Sequence, residues 1–182
     1  MEIQSVYQQT IKFAASKHAE KNQTISGTNL PYVVHLSNVA MEILTAYQNA
    51  ANFKLDFALK LALLHDTLED TSTTFDEISK MFGVDIAYGV SALTKNDILP
   101  KSERMLDSLN RIKVLSKEVW IVKLADRITN LQEPPKNWDT LKKMNYRHEA
   151  ILILQLLKGG NLFLEERLNK KIAEYENYIN AN

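Results

Sequence analysis

The chain has 182 residues, 45% of them hydrophobic, with 22 basic against 22 acidic side chains and no cysteine. This length can bury a core without cross-links. The charge balance excludes a whole-molecule field that would draw nucleic acid or an anionic membrane, and the missing thiols exclude disulfides, zinc–thiolate sites and cysteine nucleophiles. The start MEIQSVYQQTIKF is amphipathic and carries an early acid, unlike a signal peptide. No apolar run approaches the roughly 20 residues of a membrane span. A cytoplasmic protein without nucleic-acid or membrane partners is expected, and the sequence carries no readable signal of oligomeric state.

In chain order the periodicity is helical almost throughout. Val6, Ile11, Phe13, Ala14 and Ala15 keep helical spacing up to His18, which would close the first helix. KNQTISGTNLP breaks the pattern with Gly27, Asn29 and Pro31, and Pro31 suits the first turn of a second helix. The inner face of that helix reads His35, Val39, Ile43. A third helix runs from about Leu55 to Leu64, and the capping box Thr74-Phe75-Asp76-Glu77 opens a fourth that Gly83 ends. Helices follow near Asp85–Thr94, Ser102–Leu115 and Lys117–Leu131, until Pro134 and Pro135 stop them. Two last amphipathic helices meet at Gly159-Gly160. No segment alternates like a strand. An all-α bundle of eight or nine helices in a single domain over residues 1–182 is expected.

Polar residues stand at apolar positions on three of these helices. His65 continues the buried stripe of Phe57 and Leu61, with Asp66 beside it at the helix end. His35 lies in LPYVVHL, and Asp126 follows Val119 and Val122 within the apolar run VWIVKLA. A buried aspartate costs several kcal/mol, on the order of a lost charge–water contact, unless a cation or strong donors meet it. Singly, His35 reads as a hydrogen-bonded core histidine, and Asp126 as half of a buried ion pair with a neighbouring Lys or Arg. Together, two imidazoles and two carboxylates without sulfur read as a site for an octahedral Mn²⁺, Fe²⁺ or Mg²⁺-like ion. Glu69 and Asp70, one turn after His65-Asp66, could orient or deprotonate a metal-activated water, or simply form a solvated acidic turn. Asn130, four residues after Asp126, could bond a substrate hydroxyl or phosphate. Lys95, Lys101, Arg104, Arg111 and Lys113 read as solvated faces, whereas Lys123 and Arg127 bracket Asp126 on a helix that is otherwise apolar. His18 and His148 carry no site reading.

The pattern H…HD…D, in PYVVHLSNVA, LALLHDTLEDT and VKLADRITNL, resembles the HD-domain phosphohydrolases. More narrowly it is similar to the hydrolase domain of RelA/SpoT-type alarmone enzymes and to the stand-alone small alarmone hydrolases. FDEISKMFGVDIAYGVSALTK, the YRHEA segment and KGGNLFLEERL extend the likeness over nearly the whole chain. The resemblance implies that His35, His65, Asp66 and Asp126 hold one Mn²⁺ and that Glu69 and Asp70 position and activate the attacking water. It also implies that Asn130 contacts the nucleotide sugar or phosphate. The implied reaction removes the 3′-pyrophosphate from ppGpp or pppGpp, giving GDP or GTP.

The chain departs from the family at two places. A basic R-K-S-G-E-P-Y-type loop usually precedes the first ligand; here QTISGTNLPY keeps Ser26-Gly27 and Pro31-Tyr32 but has Thr24 and Ile25 at the basic positions. Lys21 is the nearest cation, so Ser26 and Lys21 join Asn130 as expected substrate contacts. Where N-x-R-T often follows the last metal aspartate, this chain has Asn130-Leu131-Gln132-Glu133. These departures leave two alternatives: a phosphohydrolase of another nucleotide, such as the 2′-phosphate of NADPH or a nucleoside phosphate, and a catalytically silent nucleotide-binding module.

Overall fold

The computed structural model describes residues 2–180, and within them ten helices form. They are α1 (Ile3–Glu20), α2 (Val33–Asn49), α3 (Leu55–Leu64), α4 (Thr67–Asp70) and α5 (Phe75–Phe82). Then come α6 (Val84–Leu93), α7 (Lys101–Lys113), α8 (Lys117–Asn130), α9 (Thr140–Leu156) and α10 (Leu162–Asn180). The expected all-α bundle is present. The helix beyond the expected eight or nine is α4, a single turn too short to show periodicity. No helix among the described residues is long and apolar enough to cross a membrane.

Local chemistry explains the boundaries. Thr74 accepts a hydrogen bond from the Glu77 amide at 3.2 Å, so α5 starts at the expected capping box. Gly83 ends it with φ +102°, a conformation that an L side chain rarely adopts. Asp139 caps α9 through the Lys142 amide.

The core is built around α3, whose Ala58, Leu59, Leu61, Ala62, Leu63 and Leu64 are all fully buried. α1, α2, α6 and α8 pack on it. A ten-residue helix covered on several sides cannot be amphipathic, which is why ALKLALL reads as a continuous apolar run. α8 is buried in the same way, with every residue from Ile121 to Thr129 inside. α9 and α10 pack together against α8 and close the bundle. Because α2, α3 and α8 meet in this core, a polar residue on the inner stripe of each is forced toward the other two.

Candidate active site

α3 stops at His65, and its last carbonyls would be orphaned in the interior. His65 Nδ1 donates to the Ala62 carbonyl at 2.8 Å, and the Thr67 hydroxyl donates to the Leu64 carbonyl at 2.6 Å. The first bond keeps a proton on Nδ1 and turns Nε2 inward, where it faces the carboxylates and can carry a second proton or give its lone pair to an ion. Asp66 then sits in the break between α3 and α4, with φ −102° and ψ 0°, and its side chain turns back onto the same ring. Histidine, aspartate and threonine thus end the helix and bring the His65 ring and the Asp66 carboxylate to one point.

The expected quartet does come together. His35 Nε2 lies 3.3 Å from His65 Nε2, 3.5 Å from Asp126 Oδ1 and 3.7 Å from Asp66 Oδ2. His65 Nε2 lies 2.8 Å from Asp66 Oδ2 and 3.6 Å from Asp126 Oδ1. One donor atom from each of the buried residues His35, His65 and Asp126 falls within 4.8 Å of the others, a spacing that could hold a metal ion. Asp66 is more exposed and touches both imidazoles from the side.

The ion-pair reading of Asp126 is half fulfilled. Its Oδ2 meets Lys123 Nζ at 3.2 Å, while Oδ1 faces the imidazoles and accepts from Asn130 Nδ2 at 2.5 Å. Lys123 therefore serves one carboxylate oxygen and leaves the other for the focus. Asn130, one turn after Asp126 on α8, spends its side-chain amide on that carboxylate.

The electrostatics favour a cation at this focus. Burial alone would push both aspartates up, yet the Asp126 carboxyl is held well below the usual range by Lys123 and the imidazoles. Asp66 is likewise lowered, by His65 above all. Burial opposes a charge on His65, but Asp66 and Asp126 override it and raise its pKa well above that of an ordinary imidazole. A site that draws a proton onto a buried histidine is one that a divalent ion can satisfy. A cavity of about 190 Å³ opens beside it, lined by Asp66, Glu69, Asp70, Asp126 and Glu149 against Lys95, Lys123 and Arg127. Five carboxylates against three cations leave a formal excess of two negative charges, the charge of one divalent ion.

Glu69 and Asp70, expected to handle a water, both line this cavity. Glu69 accepts from the Lys95 amide at 2.9 Å and pairs with Lys95 Nζ at 3.3 Å. Lys95 is exposed, as its reading as a solvated face has it, but it also pairs with Glu69 and lines the cavity; it follows the last turn of α6 and is brought there by the loop. The same reading of Arg104 and Arg111 is corrected. Arg104 bonds the Leu99 and Asp97 carbonyls, and Arg111 bonds those of Ser91 and Thr94, so both brace the same loop. Asp70 accepts from Gln23 Nε2 at 2.8 Å. Desolvation pushes the Asp70 carboxyl up, as does the neighbouring Asp66, against the Gln23 hydrogen bond.

A second cavity of about 320 Å³ adjoins the first, sharing Tyr32, Asn130 and Tyr146, with Trp138 and Tyr175 among its aromatic walls. Ser26 is among its lining residues. Lys21 lines neither cavity; it is the exposed C-cap of α1, which corrects its assignment. Among the described residues no lysine or arginine borders this second cavity.

Three residues have a place here that periodicity did not give them. Tyr32 donates to Asp66 Oδ2 at 2.5 Å, and its ring lies between those of His18 and His35. His18 is buried and not simply a helix end, and Gln23 bonds it. The signal for His18 was present: Val6, Thr10, Ala14 and His18 form a four-residue-spaced buried stripe on α1.

A family model for the HD domain matches residues 10–157. The chain is 33% identical over 175 residues to the zebrafish guanosine-3′,5′-bis(diphosphate) 3′-pyrophosphohydrolase MESH1, covering 93% of this chain and 94% of that protein. The human MESH1 protein is 36% identical over 161 residues, covering 86% and 87% respectively. This chain belongs to the HD-domain family, among the MESH1-like proteins. A solved structure described as "A metazoan ortholog of SpoT hydrolyzes ppGpp and plays a role in starvation responses" superposes with a TM-score of 0.78 at 28% identity, covering 93% of this chain and 94% of that one. The match to a bacterial relative of the same activity name, from Aquifex aeolicus, is 33% identical but spans 17% of that longer protein.

Proposed function

We propose that this protein is a divalent-metal-dependent guanosine-3′,5′-bis(diphosphate) 3′-pyrophosphohydrolase that converts ppGpp or pppGpp into GDP or GTP and pyrophosphate. The observation that carries the reading is the convergence of His35, His65 and Asp126 donor atoms within 4.8 Å, beside a cavity lined by Glu69 and Asp70. The 33% identity to the zebrafish enzyme over 93% of the chain supports the choice of substrate.

His35, His65, Asp66 and Asp126 would hold the ion, and Mn²⁺ suits this nitrogen- and oxygen-donor set. When bound, the ion supplies Lewis acidity that polarises a phosphoryl oxygen and makes water acidic near neutral pH. Tyr32 holds Asp66 in place through its hydroxyl. Asp70, with its raised pKa, accepts the proton of the attacking water, and Glu69, fixed by Lys95, orients that water. Lys123 and Arg127, both buried, set positive charge along the wall where the phosphates lie; Lys95 adds a third cation at the mouth. Arg127 is held over the Tyr146 ring at 4.3 Å and paired with Glu149 at 3.1 Å, so its charge is preorganised. Asn130 and Ser26 face the sugar and base, which enter the aromatic cavity.

One observation favours a second reading of the substrate. Among the described residues the aromatic cavity has no lysine or arginine in its wall, so it offers no guanidinium to stack on guanine. A nucleotide bearing its phosphate differently, such as NADPH with its 2′-phosphate, would meet the same metal and water groups. The two readings separate in one assay. Purified protein with Mn²⁺ is expected to release pyrophosphate and GDP from ppGpp with a higher kcat/KM than it releases orthophosphate from NADPH or from simple nucleoside phosphates. The reverse order would replace ppGpp as the substrate, and no hydrolysis of any of them would leave a binding module.

A further inference from the structure

We propose that Gln23 and His18 form a positioning pair that aims the Asp70 carboxylate at the reacting water; the proposal rests on the role given to Asp70 above. The observations lie outside the metal focus. α1 ends in a turn in which Asn22 takes a left-handed conformation, φ 51°. That turn brings the Gln23 amide back onto the His18 carbonyl at 3.1 Å, while the Gln23 carbonyl accepts from the Tyr32 amide at 3.1 Å. The backbone of Gln23 is thereby held on both sides, and its side chain has one place to go.

The side chain bridges two groups. His18 Nδ1 lies 2.5 Å from Gln23 Oε1, and Gln23 Nε2 donates to Asp70 Oδ2 at 2.8 Å. The chemistry of the two ends fixes the direction. A carboxylate can only accept, so the amide nitrogen must face Asp70 and the amide oxygen must face His18. An amide oxygen can only accept in turn, so His18 must carry its proton on Nδ1. His18 Nε2 is then the bare nitrogen; it is buried and has no hydrogen-bond partner among the described residues. Burial lowers the pKa of the ring, against the raising influence of Gln23 and Asp66, and so favours its neutral form. A buried imidazole packed against Tyr32 at 4.7 Å cannot rotate freely, so it locks the amide, and the amide locks the carboxylate.

The arrangement gives His18 and Gln23 no contact with the substrate and no part in metal binding. They act through Asp70 by keeping one of its oxygens occupied and the other free for the water. A long glutamine without His18 behind it would lose this bond to side-chain freedom.

Two variants and one spectrum test the pair. In Gln23→Met and His18→Phe, both close in volume to the parent residue, kcat on ppGpp is expected to fall about tenfold to a hundredfold, the scale of a misplaced catalytic group. KM, metal content and Tm are expected to stay near the wild-type values. The double variant should lose no more than Gln23→Met alone, because His18 acts only through Gln23. Additive losses, an unchanged kcat in Gln23→Met, or a rise in KM alone would overturn the proposal. Independently of activity, ¹⁵N spectra of histidine-labelled, metal-free wild-type protein are expected to show His18 as the neutral Nδ1–H tautomer; the Nε2–H tautomer would overturn it. If Asp70→Asn left kcat unchanged, the role of Asp70 itself would fail, whereas Asp70→Asn inactive beside a fully active Gln23→Met would sink the positioning pair alone.

Discussion

Asp126→Asn is expected to lose bound metal and turnover together, with kcat/KM falling by more than about 100-fold, the scale reached when even an outer partner of a metal ligand is removed. The carboxylate does two jobs at once. Oδ1 stands 3.5 and 3.6 Å from the two imidazole Nε2 atoms, and Oδ2 stands 3.2 Å from the buried Lys123 ammonium. An asparagine keeps the shape but removes the negative charge from both. The metal focus then loses an anionic donor, and Lys123 is left in the interior without its counter-ion. Breaking one side of a buried pair costs on the order of 3–5 kcal/mol, so Tm should fall along with activity. Lys123→Met separates the two effects. It removes the pair but leaves the Asp126 carboxylate, so metal should persist there while it is lost in Asp126→Asn. Measured metal content equal in Asp126→Asn and wild type would remove Asp126 from the ligand set.

Glu69→Gln is expected to act on the chemical step alone, lowering kcat by about 10²–10⁴-fold, the range of general acid–base assistance, with metal content near wild type. Glu69 lies outside the cluster of His35, His65 and Asp126. Its glutamine variant keeps an oxygen for the Lys95 amide and loses only the partly exposed pair with Lys95 Nζ, with side chains 42% and 30% exposed. Such a pair contributes at most about 1 kcal/mol, so Tm should hardly move. A kcat like that of the wild type would end the water-orienting role and leave Asp70 to act alone.

The convergence of His35, His65 and Asp126 was legible in the sequence because each breaks an apolar period. His35 interrupts the stripe of Val39 and Ile43, His65 that of Phe57 and Leu61, and Asp126 that of Val119 and Val122. The helices that carry them are set by the same periods, so the fold and the metal focus come from one signal. Residues delivered by loops were not legible. Lys95 reaches Glu69 only because the segment after α6 is pinned by Arg104 and Arg111. Gln23 reaches Asp70 only because Asn22 takes a left-handed turn. Tyr32 could have been singled out, three residues before His35, but its role depends on Asp66 turning back at the end of α3. Lys21 was placed by proximity in sequence, and the turn after α1 sends it to solvent while directing Gln23 inward. A residue's distance from a ligand along the chain is a poor guide where the backbone reverses.

The central claim is that four side chains from three helices form one divalent-cation site. Calorimetric titration of metal-stripped protein with Mn²⁺ tests it most directly. The predicted result is one ion per chain for the wild type and loss of that binding in His35→Ala, whose imidazole is contributed by α2 alone. No measurable binding by the wild type, or one ion per chain retained at unchanged affinity in His35→Ala, would contradict it.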